Sequence, residues 1–114
     1  MVDGERIYFY VREGQRHKGL LLYEWLLKQA RTLGFSGGTA FQSLAGFGRH
    51  GWHEAHFFEE AGEVPVMCVF VGTRAQVDGL VEVATAAGLS IFFSRHPVRF
   101  GITGQPPQPP QPQA

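Results

Sequence analysis

The sequence predicts an α+β domain, and three observations predict it. Four runs rich in β-branched and aromatic residues alternate with two amphipathic stretches, in the order strand, helix, strand, strand, helix, strand. Each amphipathic stretch ends on a glycine, Gly34 and Gly88, where a helix C-terminus needs one. The chain has 114 residues, enough for one hydrophobic core and short of two. Two helices covering one face of a four-stranded antiparallel sheet is the ferredoxin-like βαββαβ plan.

The first strand is Arg6 to Arg12, RIYFYVR, with Ile7, Phe9 and Val11 on one face and Tyr8 and Tyr10 on the other. A polar, basic connection carrying Arg16, His17 and Lys18 leads to a helix predicted over Leu20 to Leu33. Leu22, Leu26, Ala30 and Leu33 give it the 3.6-residue period, Tyr23, Trp25 and Leu27 widen its apolar surface, and Glu24 and Lys28 face water. The second strand spans about Thr39 to Ala45. After Gly48 a long polar excursion runs to Glu63, a length that in a compact domain marks a functional or mobile loop. Val64 to Val71, VPVMCVFV, is the most apolar run and the third strand, with Pro65 at its start, where no ladder donor is missed. Thr73 is a fair N-cap for a second helix, Arg74 to Ala87, with a stripe of Val77, Leu80, Val81 and Ala84. Leu89 to Ser94 is the fourth strand, and Val98 to Ile102 a short edge piece. Residues 1–103 form the domain, and 104–114, GQPPQPPQPQA at the end, form a disordered, polyproline-II-leaning Pro/Gln-rich tail that solubilises rather than folds, with a proline-motif ligand for a partner as the alternative.

This plan has a burial problem. Two helices cover one face of a sheet, yet the first and third strands are apolar on both. An exposed face carrying Tyr8, Tyr10, Met67, Val69 and Val71 exceeds what monomers usually tolerate, and a symmetric homo-oligomer covers it economically.

Composition bounds the function. Ten basic and ten acidic residues cancel, so net charge offers no footprint for nucleic acid or an anionic membrane. No run approaches the roughly 18 apolar residues of a membrane span, and the N-terminus lacks a signal-peptide layout. A single cysteine, Cys68, excludes an internal disulfide, and the expected location is cytoplasmic. Cys68 lies inside an apolar strand and reads as a small core residue, not a nucleophile. Neither a Ser–His–Asp pattern nor a phosphate-binding P-loop is present, and Glu54, Glu59, Glu60 and Glu63 form no acid–base pair. An enzyme is therefore not expected.

The stretch Gly37 to Gly51, GGTAFQSLAGFGRHG, carries the densest signal. Its glycines free backbone N–H groups beside the Arg49 cation, the local chemistry of an anion site. On residue type alone a hairpin loop with turn glycines competes with that reading. Lys18-Gly19 ahead of the first helix is a second anion candidate, against a plain solvated loop.

Gly46-Phe47-Gly48-Arg49 after a Gly-x-Thr strand resembles the opening of the T-loop of PII signal-transduction proteins. The ordered series Lys18-Gly19, Leu22-Tyr23-Glu24, Ala30-Arg31, Leu33-Gly34, Gly37-Gly38-Thr39 and Gly46-Phe47-Gly48 resembles more specifically the PII-like family catalogued as domain of unknown function 190. The resemblance covers Ile7 to about Phe93, and the seven positions from Thr39 to Gly46 are one more than PII proper has.

The resemblance implies a regulatory, signal-transducing homotrimer with sheets facing inward, which meets the burial problem. It implies a small anionic effector, most simply an adenine nucleotide (AMP, ADP or ATP), held between subunits at the T-loop base, with no obligatory cofactor. The implied nucleotide-binding residues are Thr39, Gly46, Phe47, Gly48 and Arg49, with Lys18 and Gly19 secondary. A protein target met through the loop 49–63 is a further expectation. Departures narrow this. His50 stands where PII proper has a 2-oxoglutarate-binding glutamine, and Ala86-Ala87-Gly88-Leu89 replaces its glycine- and lysine-bearing phosphate loop. The excursion has no tyrosine for uridylylation.

His50, His53 and His56 pose an alternative, a metal-responsive trimer like the CutA proteins, structural cousins of PII. Gly51 argues against the helix that would align them, and loop histidines are more often simply solvated.

Overall fold

The computed structural model describes residues 1–46 and 64–105. Among these the elements run β1 (Val2–Arg12), β2 (Arg16–His17), β3 (Leu20–Leu21), α1 (Leu22–Thr32), β4 (Gly38–Gln42), β5 (Pro65–Gly72), α2 (Arg74–Ala86) and β6 (Phe92–Phe100). The main sheet has the order β4-β5-β1-β6 and is antiparallel throughout. This is the ferredoxin-like plan that element order predicts, with the first and third major strands central.

Alternation along the strands sorts the two faces. Ile7, Phe9 and Val11 of β1 and Val66, Cys68 and Phe70 of β5 are buried under the helices. They meet Leu22, Trp25, Leu26 and Ala30 of α1 and Val77, Leu80 and Ala84 of α2 in one core. Phe9, Phe35 and Phe70 pack edge-on at its centre, Phe70 lying 6.3 Å from Phe9 and 5.8 Å from Phe35. The opposite face has no layer over it among the described residues. Tyr10 is 44% exposed, Phe41 50% and Phe92 52%, and register places Phe41, Met67, Tyr10 and Phe92 in one row across four strands.

Local chemistry sets the helix ends. Thr73 Oγ1 accepts from the Gln76 N–H at 3.1 Å while Gln76 Oε1 accepts from the Thr73 N–H at 2.8 Å, a complete capping box. Both helices end in a Schellman motif. Phe35 N–H reaches Ala30 O and Leu89 N–H reaches Ala84 O, each at 3.1 Å, around Gly34 (φ 87°) and Gly88 (φ 75°).

Four boundaries differ by two residues or more from the sequence expectation, the first being that of β1, which begins at Val2 rather than Arg6. Leu20 and Leu21 belong to a two-residue hairpin with Arg16 and His17, so α1 starts at Leu22 rather than Leu20. Lys18 (φ 50°) and Gly19 (φ 80°) both take positive φ, as a type I′ turn requires. The second major strand stops at Gln42 instead of continuing to Ala45. The last strand is a single nine-residue element, not Leu89–Ser94 plus an edge piece. It pairs with β1 alone, and an edge strand is where a proline such as Pro97 is tolerated.

Candidate functional site

Thr39 lies on β4, opposite Val69 of β5, and its side chain is on the open face of the sheet. Close packing beneath fixes this edge strand. A Cβ on Gly38 would come within 2.4 Å of the Phe70 ring, so only glycine lets β4 lie over the core aromatic. Gly72 plays the same part at the β5–α2 turn, where a Cβ would meet Gln76 Oε1 at 2.5 Å and the Phe35 ring at 2.8 Å. Gln76 Nε2 then donates to Leu33 O at 3.4 Å, tying the start of α2 to the end of α1.

These contacts frame a cavity of about 820 Å³ at this end of the sheet, within the size range of small-molecule sites. Its floor is Val69, Val71, Phe41 and Thr39, one wall is the 34–38 turn, and the other is Val2, Phe100 and Ile102. Arg6 is its one cationic side chain among the described residues.

The other predicted residues fall elsewhere. Gly46 lies beyond the far end of β4 and does not line the cavity. From Thr39 to Gln42 the strand covers about 10 Å at roughly 3.3 Å per residue, and Gly46 is four residues further on. The stems of the excursion are fastened at that far end. Ser43 N–H donates to Pro65 O at 2.9 Å, Glu13 N–H to Val64 O at 2.8 Å, and the Gln42 amide to the Glu13 carboxylate. Lys18 and Gly19 are exposed and form the β2–β3 turn, which Arg16 closes by donating to Gly19 O at 3.2 Å. Thus the structure brings Thr39 into a cavity and leaves Lys18, Gly19 and Gly46 outside it. Phe47, Gly48, Arg49, His50, His53 and His56 lie outside the described residues, as does the tail from 106. Among the described residues no three potential metal ligands cluster. Burial pushes the Cys68 thiol up to about 11, as expected of a core residue rather than a nucleophile.

Sequence reasoning did not select Arg6, Val71 or Phe100 as site residues. Arg6 falls between Glu5 and the buried Ile7 in a strand whose apolar pattern dominates, and no local signal marks it.

Residues 4–97 match the family described as DUF190, Uncharacterized ACR. The chain belongs to the DUF190 family. It is 28% identical over 100 residues to the UPF0166 protein MJ1524 of Methanocaldococcus jannaschii, covering 84% of this chain and 93% of that one. The fold is shared with CPII, a nitrogen regulatory PII-like protein from Thiomonas intermedia K12 solved with ADP, AMP and bicarbonate. That likeness has a TM-score of 0.65 at 18% identity, over 88% of this DUF190 chain and 90% of CPII. A putative PII-like signaling protein from Thermus thermophilus superposes at TM-score 0.55 and 13% identity, over 86% and 91% of the two chains. The DUF190 chain therefore has the PII-like form of the ferredoxin-like fold.

Proposed function

We propose that this DUF190 protein is a non-enzymatic, cytoplasmic PII-like regulator, a homotrimer binding an adenine nucleotide in clefts between subunits at the base of a T-loop. The observation that carries the reading is the Thr39 cavity, set beside a sheet face whose aromatic and aliphatic row has no cover among the described residues. CPII, which shares the fold, is described as bound to ADP and AMP, which supports the same ligand class here. In this reading the sheet faces meet inside the trimer. Gly46 lies four residues beyond the end of β4, away from the Thr39 cavity, so in this reading a cleft between subunits joins Thr39 of one copy to the Gly46–Arg49 stretch of another.

The role of each group follows from its chemistry. Backbone N–H groups of Gly46, Phe47 and Gly48 meet phosphate oxygens, Arg49 adds charge, and Thr39 offers a hydroxyl beside apolar Val69. A protein target reads the state of the loop 49–63. Calorimetric titration of the full chain with AMP, ADP and ATP tests this. Arg49→Ala is expected to weaken nucleotide binding about tenfold or more, by removing a charge-assisted contact of about 1.5–3 kcal/mol. Gly48→Val is expected to do comparable harm by blocking backbone approach. A wild-type protein that binds none of the three nucleotides overturns the reading.

A further inference from the structure

We propose that Arg6 is the anion contact of the Thr39 cavity, making the cavity selective for a ligand that joins a negative group to a flat apolar body. The inference deepens the nucleotide reading and rests on it for the ligand's identity, though not for its charge.

Placement comes first. Arg6 alternates with buried Ile7 and so belongs to the open face of β1, and register sets it directly opposite Val71, itself on the cavity floor. The cavity's charge is one-signed. Among the described residues its lining includes Arg6 and no aspartate or glutamate, in a chain whose ten acidic residues equal its ten basic ones.

Arg6 also differs from its neighbours in how it is used. Arg95 bonds Glu5 and Asp78, Arg74 lies 3.7 Å from Glu5, and Arg99 lies 3.3 Å from Asp3. Arg6 has no carboxylate partner among the described residues, although it is half-buried. A guanidinium held in that setting gains from an anion, and its planar fork fits a phosphate or carboxylate bidentately.

The remaining polar groups of the lining narrow the ligand further. Thr73 and Gln76 are consumed by the capping box and by the bond to Leu33. The hydroxyls of Thr39 and Ser36 and the side-chain amide of Gln105 are left to receive a ligand, beside the apolar surface of Val69, Val71 and Phe41. A phosphomonoester on a flat heterocycle matches this arrangement, with the ring against the apolar floor and the anion at Arg6.

The test uses the full chain with AMP, adenosine and inorganic phosphate at constant ionic strength. Affinities come from calorimetry, and the amide signals of Gly37, Gly38 and Thr39 locate the ligand. The wild type is expected to bind AMP about tenfold or more tighter than adenosine. Arg6→Gln is expected to cut that preference about fivefold or more by weakening AMP while leaving adenosine within about twofold. Arg6→Lys, which keeps the charge but loses the fork, is expected to fall between the two and carries the comparison if Arg6→Gln does not fold. An AMP-to-adenosine ratio unchanged in both variants overturns the proposal. If the wild type binds neither AMP nor adenosine, AMP is excluded as the ligand, the titrations with ADP and ATP decide the nucleotide reading, and phosphate decides Arg6 alone. Saturable phosphate shifts at residues 37–39 that Arg6→Gln abolishes sustain it, and wild-type amides that phosphate does not move overturn it.

Discussion

Arg95 Nη2 donates to the Asp78 carboxylate at 2.7 Å, while Nε of the same guanidinium bonds Glu5. One side chain on the edge strand β6 thus holds β1 and α2 together. The Glu5 carboxylate is 13% exposed, and its hydrogen bond raises the guanidinium's already high pKa, so the arginine stays charged at any working pH. Arg95→Met is expected to destabilise the fold by about 1.5–3 kcal/mol, because a nearly buried carboxylate loses its main partner. Asp78→Ala, at a side chain 60% exposed, is expected to cost under about 1 kcal/mol. Urea unfolding of both variants and the double mutant checks this. Equal losses at Arg95 and Asp78 would show that Glu5 gains little from the bridge.

The open sheet face makes a prediction about assembly. Tyr10 and Phe92 are neighbours in register, with ring centroids 5.6 Å apart, and each is about half exposed in the single chain. Burial of an aromatic of this size is worth about 1.5–3 kcal/mol, and a buried unpaired carboxylate costs more. Tyr10→Asp and Phe92→Asp are therefore expected to convert a trimer to monomers with the far-ultraviolet spectrum preserved. Light scattering of wild type and variants checks it, and a wild type with the mass of a monomer refutes it.

Element order was legible because alternation and helical period survive in each segment. What was not legible has identifiable physical causes. Pro97 reads as a break, but an edge strand paired on one side tolerates it, so β6 runs on to Phe100. Leu20 and Leu21 continue the apolar pattern of α1, which hid the hairpin that the positive φ at Lys18 and Gly19 creates. At the site, Thr39 was reached through the family resemblance that Gly37-Gly38-Thr39 and Gly46-Phe47-Gly48-Arg49 carry. The rest of the cavity is built from Arg6, Val71 and Phe100, brought together only by strand pairing.

The β2–β3 turn separates two roles for Lys18. At φ 50° a lysine is held in the left-handed region, which costs a β-carbon-bearing residue about 1 kcal/mol and suits asparagine better. Lys18→Asn is expected to leave stability equal or slightly higher. It is also expected to change AMP affinity by less than about threefold, since the side chain is exposed and off the cavity. Gly19→Val, at φ 80°, is expected to lose about 1–2 kcal/mol. Thermal unfolding and AMP titration read both effects, and a tenfold loss of AMP affinity in Lys18→Asn would make the lysine a phosphate contact.

Cys68 gives a prediction in pH. Its side chain is fully buried on the helix-covered face of β5, and desolvation raises the thiol from 9.0 to about 11. The neutral form is favoured in the folded state, so below pH 9 both states hold the proton and the group leaves stability unchanged. Between pH 9 and about 11 the unfolded chain releases the proton while the folded chain keeps it. Stability therefore falls across that window, by an amount on the order of 2–3 kcal/mol for a shift of this size. Cys68→Ala is expected to start less stable, because it removes a buried sulfur, but to lack this alkaline decline. Urea unfolding at about pH 8 and about pH 10.5 compares the slopes directly. The folded thiol is also expected to resist alkylation at about pH 8 until the protein unfolds. Rapid labelling of the native protein would mean that Cys68 is reached by solvent in an open state far more populated than a packed central strand allows.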